Sequence, residues 1–203
     1  MNSKRLLTIL SFIDKDDRII DVGCDHAYLS KMLAKRGQSS IAVDIVPSII
    51  EKNKKENNSK LISFYVSDGL KNVNEQLYNM PVLSGMGSYT ILDIIKNSSR
   101  SFNKVLTASN SKYKILRSEM LKLGFVSVKE QIVKENKKYY NIILFEKGNK
   151  KYTKEELYFG RNHVDKKMLK EKNLYLLKKY NKIKNKLPKD SDILEEIKLL
   201  EKS

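Results

Sequence analysis

Along the first three quarters of the chain, short apolar runs alternate with stretches of helical spacing, and a glycine, aspartate or proline marks most of the joints. An amphipathic helix is predicted over residues 1–14, with Leu6, Leu7, Ile9, Leu10 and Ile13 apolar. The first strand covers Arg18–Val22 and breaks at Gly23; Ala27, Leu29, Met32 and Leu33 then follow at helical spacing to about Gly37. Gln38–Val43 reads as a strand that stops at Asp44, and Pro47 opens a helix to about Asn57, proline being tolerated in a first turn. Leu61–Val66 is the third strand, followed by Ser67-Asp68-Gly69 and a less regular helix over Leu70–Leu77. Met80–Leu83 leads into Ser84-Gly85-Met86-Gly87-Ser88 and a helix carrying Ile91, Leu92, Ile94 and Ile95. Lys104–Ala108 precedes a helix over Ser111–Leu123, with Leu116, Met120 and Leu123 on one face and Gly124 closing it. Phe125–Val133 and Tyr139–Phe145 are joined by only Lys134 to Lys138, a connection that permits nothing but an antiparallel hairpin.

Five strand–helix units in a row imply a parallel sheet, and the terminal hairpin puts one antiparallel strand into it. That last feature separates methyltransferase sheets from dinucleotide-binding ones. The expected fold is therefore α/β, a Rossmann-like class I methyltransferase sheet of seven strands over residues 1–149. From Lys150 the pattern changes, and no further strands are predicted. Residues 151–203 hold 15 Lys and Arg against 9 Asp and Glu. Leu169, Asn173, Leu176, Tyr180, Ile183 and Leu187 recur at spacings of four and three, a coiled-coil seam with Asn173 as its polar, register-fixing member. Pro188 interrupts it, and Asp192 with Glu195 resembles a capping box for a helix bearing Ile193, Ile197 and Leu200. Residues 150–203 are expected to form an antiparallel, basic helical coiled-coil hairpin. It reads either as a lysine-faced arm for RNA or as a packing or dimerisation face.

The chain has 203 residues, 40% hydrophobic and 32% charged, which suits one full domain and an appendage. No apolar run approaches the roughly 20 residues of a membrane span. Met1 to Leu10 has neither a long apolar stretch nor a small-residue cleavage site, so no signal peptide and no membrane partner are expected. Cys24 is the only cysteine, which excludes an internal disulfide and a multi-cysteine zinc site; the expected compartment is the cytoplasm. The net charge of +16 points to a polyanion, most simply nucleic acid. Only six of the basic residues are Arg, however, and an AT-rich genome would produce the same lysine bias with no functional demand.

Candidate chemistry lies at the strand ends. The turn after Val22 holds one glycine, whereas a pyrophosphate needs G-x-G-x-x-G for close backbone approach. A cationic ligand without phosphates, such as S-adenosylmethionine, suits a turn carrying Asp21 and Asp25. The bland alternative is an ordinary strand–helix junction. Asp44 can accept both ribose hydroxyls, Asp68 can take an adenine amino hydrogen, and Asp21 with the Gly23 backbone lies nearest the methionine moiety. Three acids at consecutive strand ends favour the cofactor site over three separate loop solvations. Ser84 to Ser88 sits where an acceptor base would approach, its glycines letting backbone come close to a flat ring. The chain lacks both the Asp/Asn-Pro-Pro-aromatic motif used on exocyclic amines and a cysteine nucleophile, because Cys24 reads as a small packing residue. His26 either orients substrate or hydrogen-bonds its own loop, and His163 is assigned no role. No metal site is expected.

Together these residues resemble the TrmK family, bacterial tRNA methyltransferases acting on N1 of adenine 22 in the D-arm. The resemblance is carried by Arg5-Leu6, the run Asp21-Val-Gly-Cys-Asp-His-Ala-Tyr-Leu29, Asp68-Gly69-Leu70, Gly85-Met86-Gly87, Asn110 and Lys138-Tyr139-Tyr140, with the basic tail behind them. The family's usual serine stands here as Cys24, and its Gln-Pro-Asn as Ala108-Ser109-Asn110. With the strand-end readings, it implies cofactor contacts from Asp21, Gly23, Cys24, His26, Tyr28, Asp44, Ile45, Asp68, Gly69 and Gly85. Substrate contacts are implied for Arg5, Met86, Asn110 and Tyr140, with His26 and Asn110 nearest the chemistry. The implied cofactor is S-adenosyl-L-methionine, the partner tRNA, and the protein a monomer. The alternatives are a methyltransferase for another RNA base or a small molecule, and a non-catalytic RNA-binding module.

Overall fold

The computed structural model describes residues 3–73, 78–189 and 191–202. Seven strands form one sheet: β1 (Ile19–Val22), β2 (Ser40–Asp44), β3 (Ile62–Val66), β4 (Met80–Ser84), β5 (Lys104–Ser109), β6 (Phe125–Glu135) and β7 (Lys138–Lys147). Their order is β3-β2-β1-β4-β5-β7-β6. The first five run parallel, and β7 lies antiparallel between β5 and β6. The chain moves outward from β1 to β3, then returns to place β4 on the other side of β1. That reversal opens a crevice at the carboxyl ends of β1 and β4.

The parallel strands are apolar on both sides because helices cover both faces. Ile20, Val22, Val105 and Ile143 meet Ile91, Leu92, Leu116 and Met120 of α4 (Ser88–Lys96) and α5 (Tyr113–Lys122). Their sequence neighbours Ile19, Leu106 and Ile142 point the other way, onto Ile9, Leu29 and Leu33 of α1 (Lys4–Leu10) and α2 (Tyr28–Lys35). The third helix, α3 (Pro47–Glu56), buries Ile50 against Ala42, Ile62 and Phe64.

Three expectations change. The hairpin strands are longer than predicted and the turn is only Asn136-Lys137, both left-handed (φ 49° and 61°), the two-residue turn that matches strand twist. The predicted helix over Leu70–Leu77 is not present in its described part: 69–72 form turns, with Leu70 and Val73 buried, while 74–77 lie outside the described residues. The seam stops at Tyr180. Leu169, Leu176 and Tyr180 of α7 (Lys166–Asn181) pack onto Tyr158, Phe159, Leu199 and Leu200, whereas Ile183 and Leu187 fall beyond the helix. Leu187 is extended and precedes Pro188, which disfavours helical backbone in the residue before it. Lys184 pairs with Glu201 at 3.3 Å, so the end of α8 (Asp192–Leu200) lies beside the end of α7.

Two caps differ as well. Ser191, not Asp192, caps α8 through the Ile193 amide. The capping box belongs to α6 (Lys154–Phe159), where Thr153 and Glu156 satisfy each other's amides, and sequence reading passed over this helix.

The C-terminal helices are fastened to the sheet by a buried ion pair. Arg117 and Glu130 are fully enclosed, with guanidinium and carboxylate 2.6 Å apart. Arg117 also donates to the carbonyls of Leu157 and Tyr158, and Glu130 accepts from Ser127 Oγ and the Arg161 amide. Burial alone would raise the Glu130 pKa, but the charge and hydrogen bonds of Arg117, with smaller help from His163 and Ser127, together outweigh it and hold the carboxyl below its ordinary value. No helix of the described residues is long and apolar enough to cross a membrane.

An Arg117→Met substitution strands a buried carboxylate and should destabilise the fold by about 3–5 kcal/mol in urea titrations. Arg117→Met combined with Glu130→Leu should recover much of that loss.

Candidate functional site

The turn after β1 is set by one acceptor. The amides of Gly23 and Cys24 both donate to the Val43 carbonyl, each at 2.9 Å, which ties the end of β1 to β2. Gly23 takes φ +69°, which strains any residue with a Cβ, and a Cβ there would stand 3.1 Å from Met86 Cε, so a side chain would also press on that methionine. Asp25 and Ala27 also adopt left-handed backbone (φ 46° and 52°). Asp25 is held there by its amide to Asp44 Oδ2 at 3.1 Å and by Asn53 Nδ2, which donates to its carbonyl. Ala27 caps α2 without a side-chain bond. Asp21 serves instead: its Oδ2 accepts from the Ser30 amide and hydroxyl at 3.3 and 2.9 Å. Burial pushes the Asp21 carboxyl up to about 6; the Ser30 bonds oppose this and the Asp44 charge adds to it.

Asp44 ends β2 almost buried, its Oδ1 accepting from the Val46 amide at 3.0 Å and its Oδ2 from Asp25. Each oxygen keeps a second acceptor position. Ile45 and Val46, exposed beside it, form an apolar lip. At the end of β3 the Ser67 amide donates to the Asp44 carbonyl at 2.9 Å. Asp68 is exposed and paired with Lys71 at 2.5 Å, so an incoming amino group would compete with that lysine. Gly69 (φ +59°) leaves space for Ile94, which a Cβ would meet at 3.0 Å; its conformation is explained by packing against α4.

After β4, Gly85 takes φ +83° over open space and Met86 packs half-buried on the core. The loops after β4 and β5 are joined by hydroxyls that sequence reading missed. Ser88 and Ser109 Oγ atoms lie 2.9 Å apart with the Ser111 carbonyl within hydrogen-bond reach of both, so one hydroxyl donates to that carbonyl and the other to its neighbouring hydroxyl. Asn110 is exposed on that loop, at the mouth of a cavity of about 530 Å³. Ser109 pairs with Asn141 across the sheet, so Tyr140 stands beside the same edge. The Arg5 guanidinium covers the Tyr140 ring at 4.8 Å from its centroid. The start of α1 is fixed there by Ser3 Oγ, which donates to Glu135 at 2.9 Å.

His26 is half-exposed, 3.8 Å from Asp25 and 5.4 Å ring to ring from Tyr28. Tyr28 lines a second cavity of about 710 Å³, between α1, α2 and the segment entering β3. None of Asp21, Asp44 and Asp68 lines that cavity. Among the described residues no cluster of three His, Cys, Asp or Glu could hold a metal ion.

A family model described as a methyltransferase domain matches residues 2–143. A Mycoplasma genitalium protein provisionally named a tRNA methyltransferase is 32% identical over 98% of this chain and 94% of its own length. The Mycoplasma capricolum TrmK structure, bound to S-adenosyl-homocysteine, superposes with a TM-score of 0.86 at 26% identity, covering 100% of this chain and 97% of that one. The chain belongs to the TrmK-like methyltransferases. The tRNA (adenine(22)-N(1))-methyltransferase of Bacillus subtilis is also similar, at 26% identity over 88% of this chain and 79% of its own.

In this TrmK-like chain Cys24 is buried, and its thiol is pushed up to about 12, first by burial and then by the charges of Asp21 and Asp44. A thiol held so far from ionisation is inert. Cys24 should resist a disulfide reagent at pH 8 in the native protein and react fully once the chain is unfolded in denaturant.

Proposed function

We propose that the chain transfers the methyl group of S-adenosylmethionine to N1 of adenine 22 in tRNA. The observation that carries this reading is the pair of acids at the β1/β2 end, Asp21 and Asp44, on a one-glycine turn closed by Met86. That donor set fits a sulfonium nucleoside. Asp44 retains two acceptor positions for a ribose diol, Asp21 is a buried carboxyl with only Ser30 as hydrogen-bond donor, and the turn offers no nest of amides for a pyrophosphate. The likeness to the B. subtilis protein over 88% of this chain and to the M. capricolum protein over all of it supports the substrate and cofactor.

S-adenosylmethionine, when bound, supplies an electrophilic methyl group. Everything else falls to the chain. Asp44 and the Ile45–Val46 lip orient the nucleoside, and Asp21 balances the positive charge. The Gly85-Met86 loop and Asn110, joined by the Ser88–Ser109 hydroxyls, border the place where a base would enter. Adenine N1 carries its own lone pair, so alignment supplies the rate and no strong base is required. The target base must be turned out of the folded tRNA, at a cost of a few kcal/mol.

Incubation with S-adenosylmethionine and an unmodified tRNA, followed by nucleoside mass spectrometry, should yield 1-methyladenosine, and a transcript with guanine at position 22 should yield none. A different methylated nucleoside would redirect the substrate assignment, and no methylation at all would remove the enzyme.

The Asp21 carboxyl gives a pH test with a definite sign. In the free protein burial favours its protonated form up to about pH 6. A neighbouring cation favours the ionised form, so binding below pH 6 must expel a proton. Cofactor affinity should be level above pH 7 and about tenfold weaker at pH 5 by calorimetry. Asp21→Asn should flatten that profile.

A further inference from the structure

The cavity beside Asn110 is composite. One wall is the 110–115 loop, another the hairpin turn and the start of β7, and the third is made by α7 and α8. Six lysines line it (Lys112, Lys114, Lys137, Lys138, Lys172 and Lys179) against two acids, Asp192 and Glu196. Lys114 is already neutralised, with Asp192 at 2.9 Å and Glu195 at 3.5 Å.

Lys172 is different. It is 4% exposed, and its Nζ donates once, to Asn141 Oδ1 at 2.9 Å, while lying 4.1 Å from the Tyr113 ring centroid. No carboxylate of the described residues is within ion-pairing distance of it. The Asn141 Nδ2, fully buried beside it, has no hydrogen-bond partner. An ammonium taken out of water and left with one neutral acceptor is costly unless something charged completes it. Burial, with Arg117 adding to it, pulls this lysine down to about 7, against the partial support of Glu196 and Glu130. Asn141 is the register partner of Ser109, one residue before Asn110, so this cation sits at the wall of the substrate edge.

We propose that this cleft seats a phosphodiester of the RNA strand, with Lys172 as its buried cation and the exposed lysines of the rim as its steering charge. This placement rests on the tRNA reading above and deepens it. The unused Nζ hydrogens of Lys172, which lines the cleft, point to an anion with several acceptor oxygens, and a phosphate supplies them. The C-terminal helices then act as one side of the substrate site, close to the place where the base is methylated.

The test uses the full chain and an unmodified tRNA transcript, with affinity measured over a series of salt concentrations. Lys172→Met keeps the stem and removes the charge. It should weaken tRNA binding about tenfold and reduce the slope of log affinity against log salt by about one. S-adenosylmethionine affinity should not change. Lys138→Ala with Lys179→Ala, both exposed, leaves the fold intact whatever Lys172→Met does, and should reduce the slope by about two. A matched pair on α3, Lys54→Ala with Lys55→Ala, should leave it nearly as in the wild type. Unchanged slopes in the cleft variants, or an equal loss in the α3 pair, overturn the cleft while leaving the methyltransferase reading in place. Failure of the wild-type chain to bind tRNA overturns both.

Discussion

Two amides share the Val43 carbonyl, and the arrangement of the site follows from that shared acceptor. With Gly23 and Cys24 both bound to the end of β2, the chain must turn sharply, and the left-handed backbone at Gly23 with Met86 close by favours a residue without Cβ. The turn in turn brings the Asp25 amide to Asp44 and the first turn of α2 to Asp21. Two carboxylates at neighbouring strand ends are therefore each held by backbone amides. A looser turn would leave the same acids on the same strands, but with side chains free to rotate out into water. The site is as precise as it is because its acids are also structural acceptors.

That double use explains which parts were legible in the sequence. The strand ends could be read because apolar runs stop abruptly at Gly23, Asp44, Asp68 and Gly85, and a parallel sheet aligns such stops on one edge. The hairpin could be read because its connection was too short for any other geometry. The bridge made by the Ser88 and Ser109 hydroxyls and the Ser111 carbonyl could not, since three serines in two separate loops carry no spacing signal until the sheet sets β4 beside β5. Helix α6 was legible and was passed over: Thr153 and Glu156 form the capping box that was sought at Asp192. The seam over Leu169 to Leu187 misled because periodicity states which residues share a face but not where the backbone stops being helical, and Pro188 decided that. Asp68 and Gly69 read as cofactor residues by strand-end position and by resemblance; the contacts with Lys71 and Ile94 could be seen only in the fold.

Three buried ionisable groups illustrate how the chain separates architecture from chemistry. Glu130 is enclosed with Arg117, accepts hydrogen bonds on both oxygens and is held below its ordinary pKa, as a charge fully balanced from within. Asp21 and Lys172 are buried just as deeply, but their partners are neutral: a serine for one, an asparagine and a tyrosine ring for the other. Both are pushed toward their uncharged forms, the acid upward and the base downward. A fold has no need to bury a charge and leave it half satisfied, because replacing it by an apolar residue of similar volume is at least as stable. Where such a group persists at the edge of a crevice, its missing partner is best sought in what the crevice takes up. In the function proposed, one of these two would meet a cation at the end of β1 and the other an anion beside the end of β5, with the reaction edge of the sheet between them.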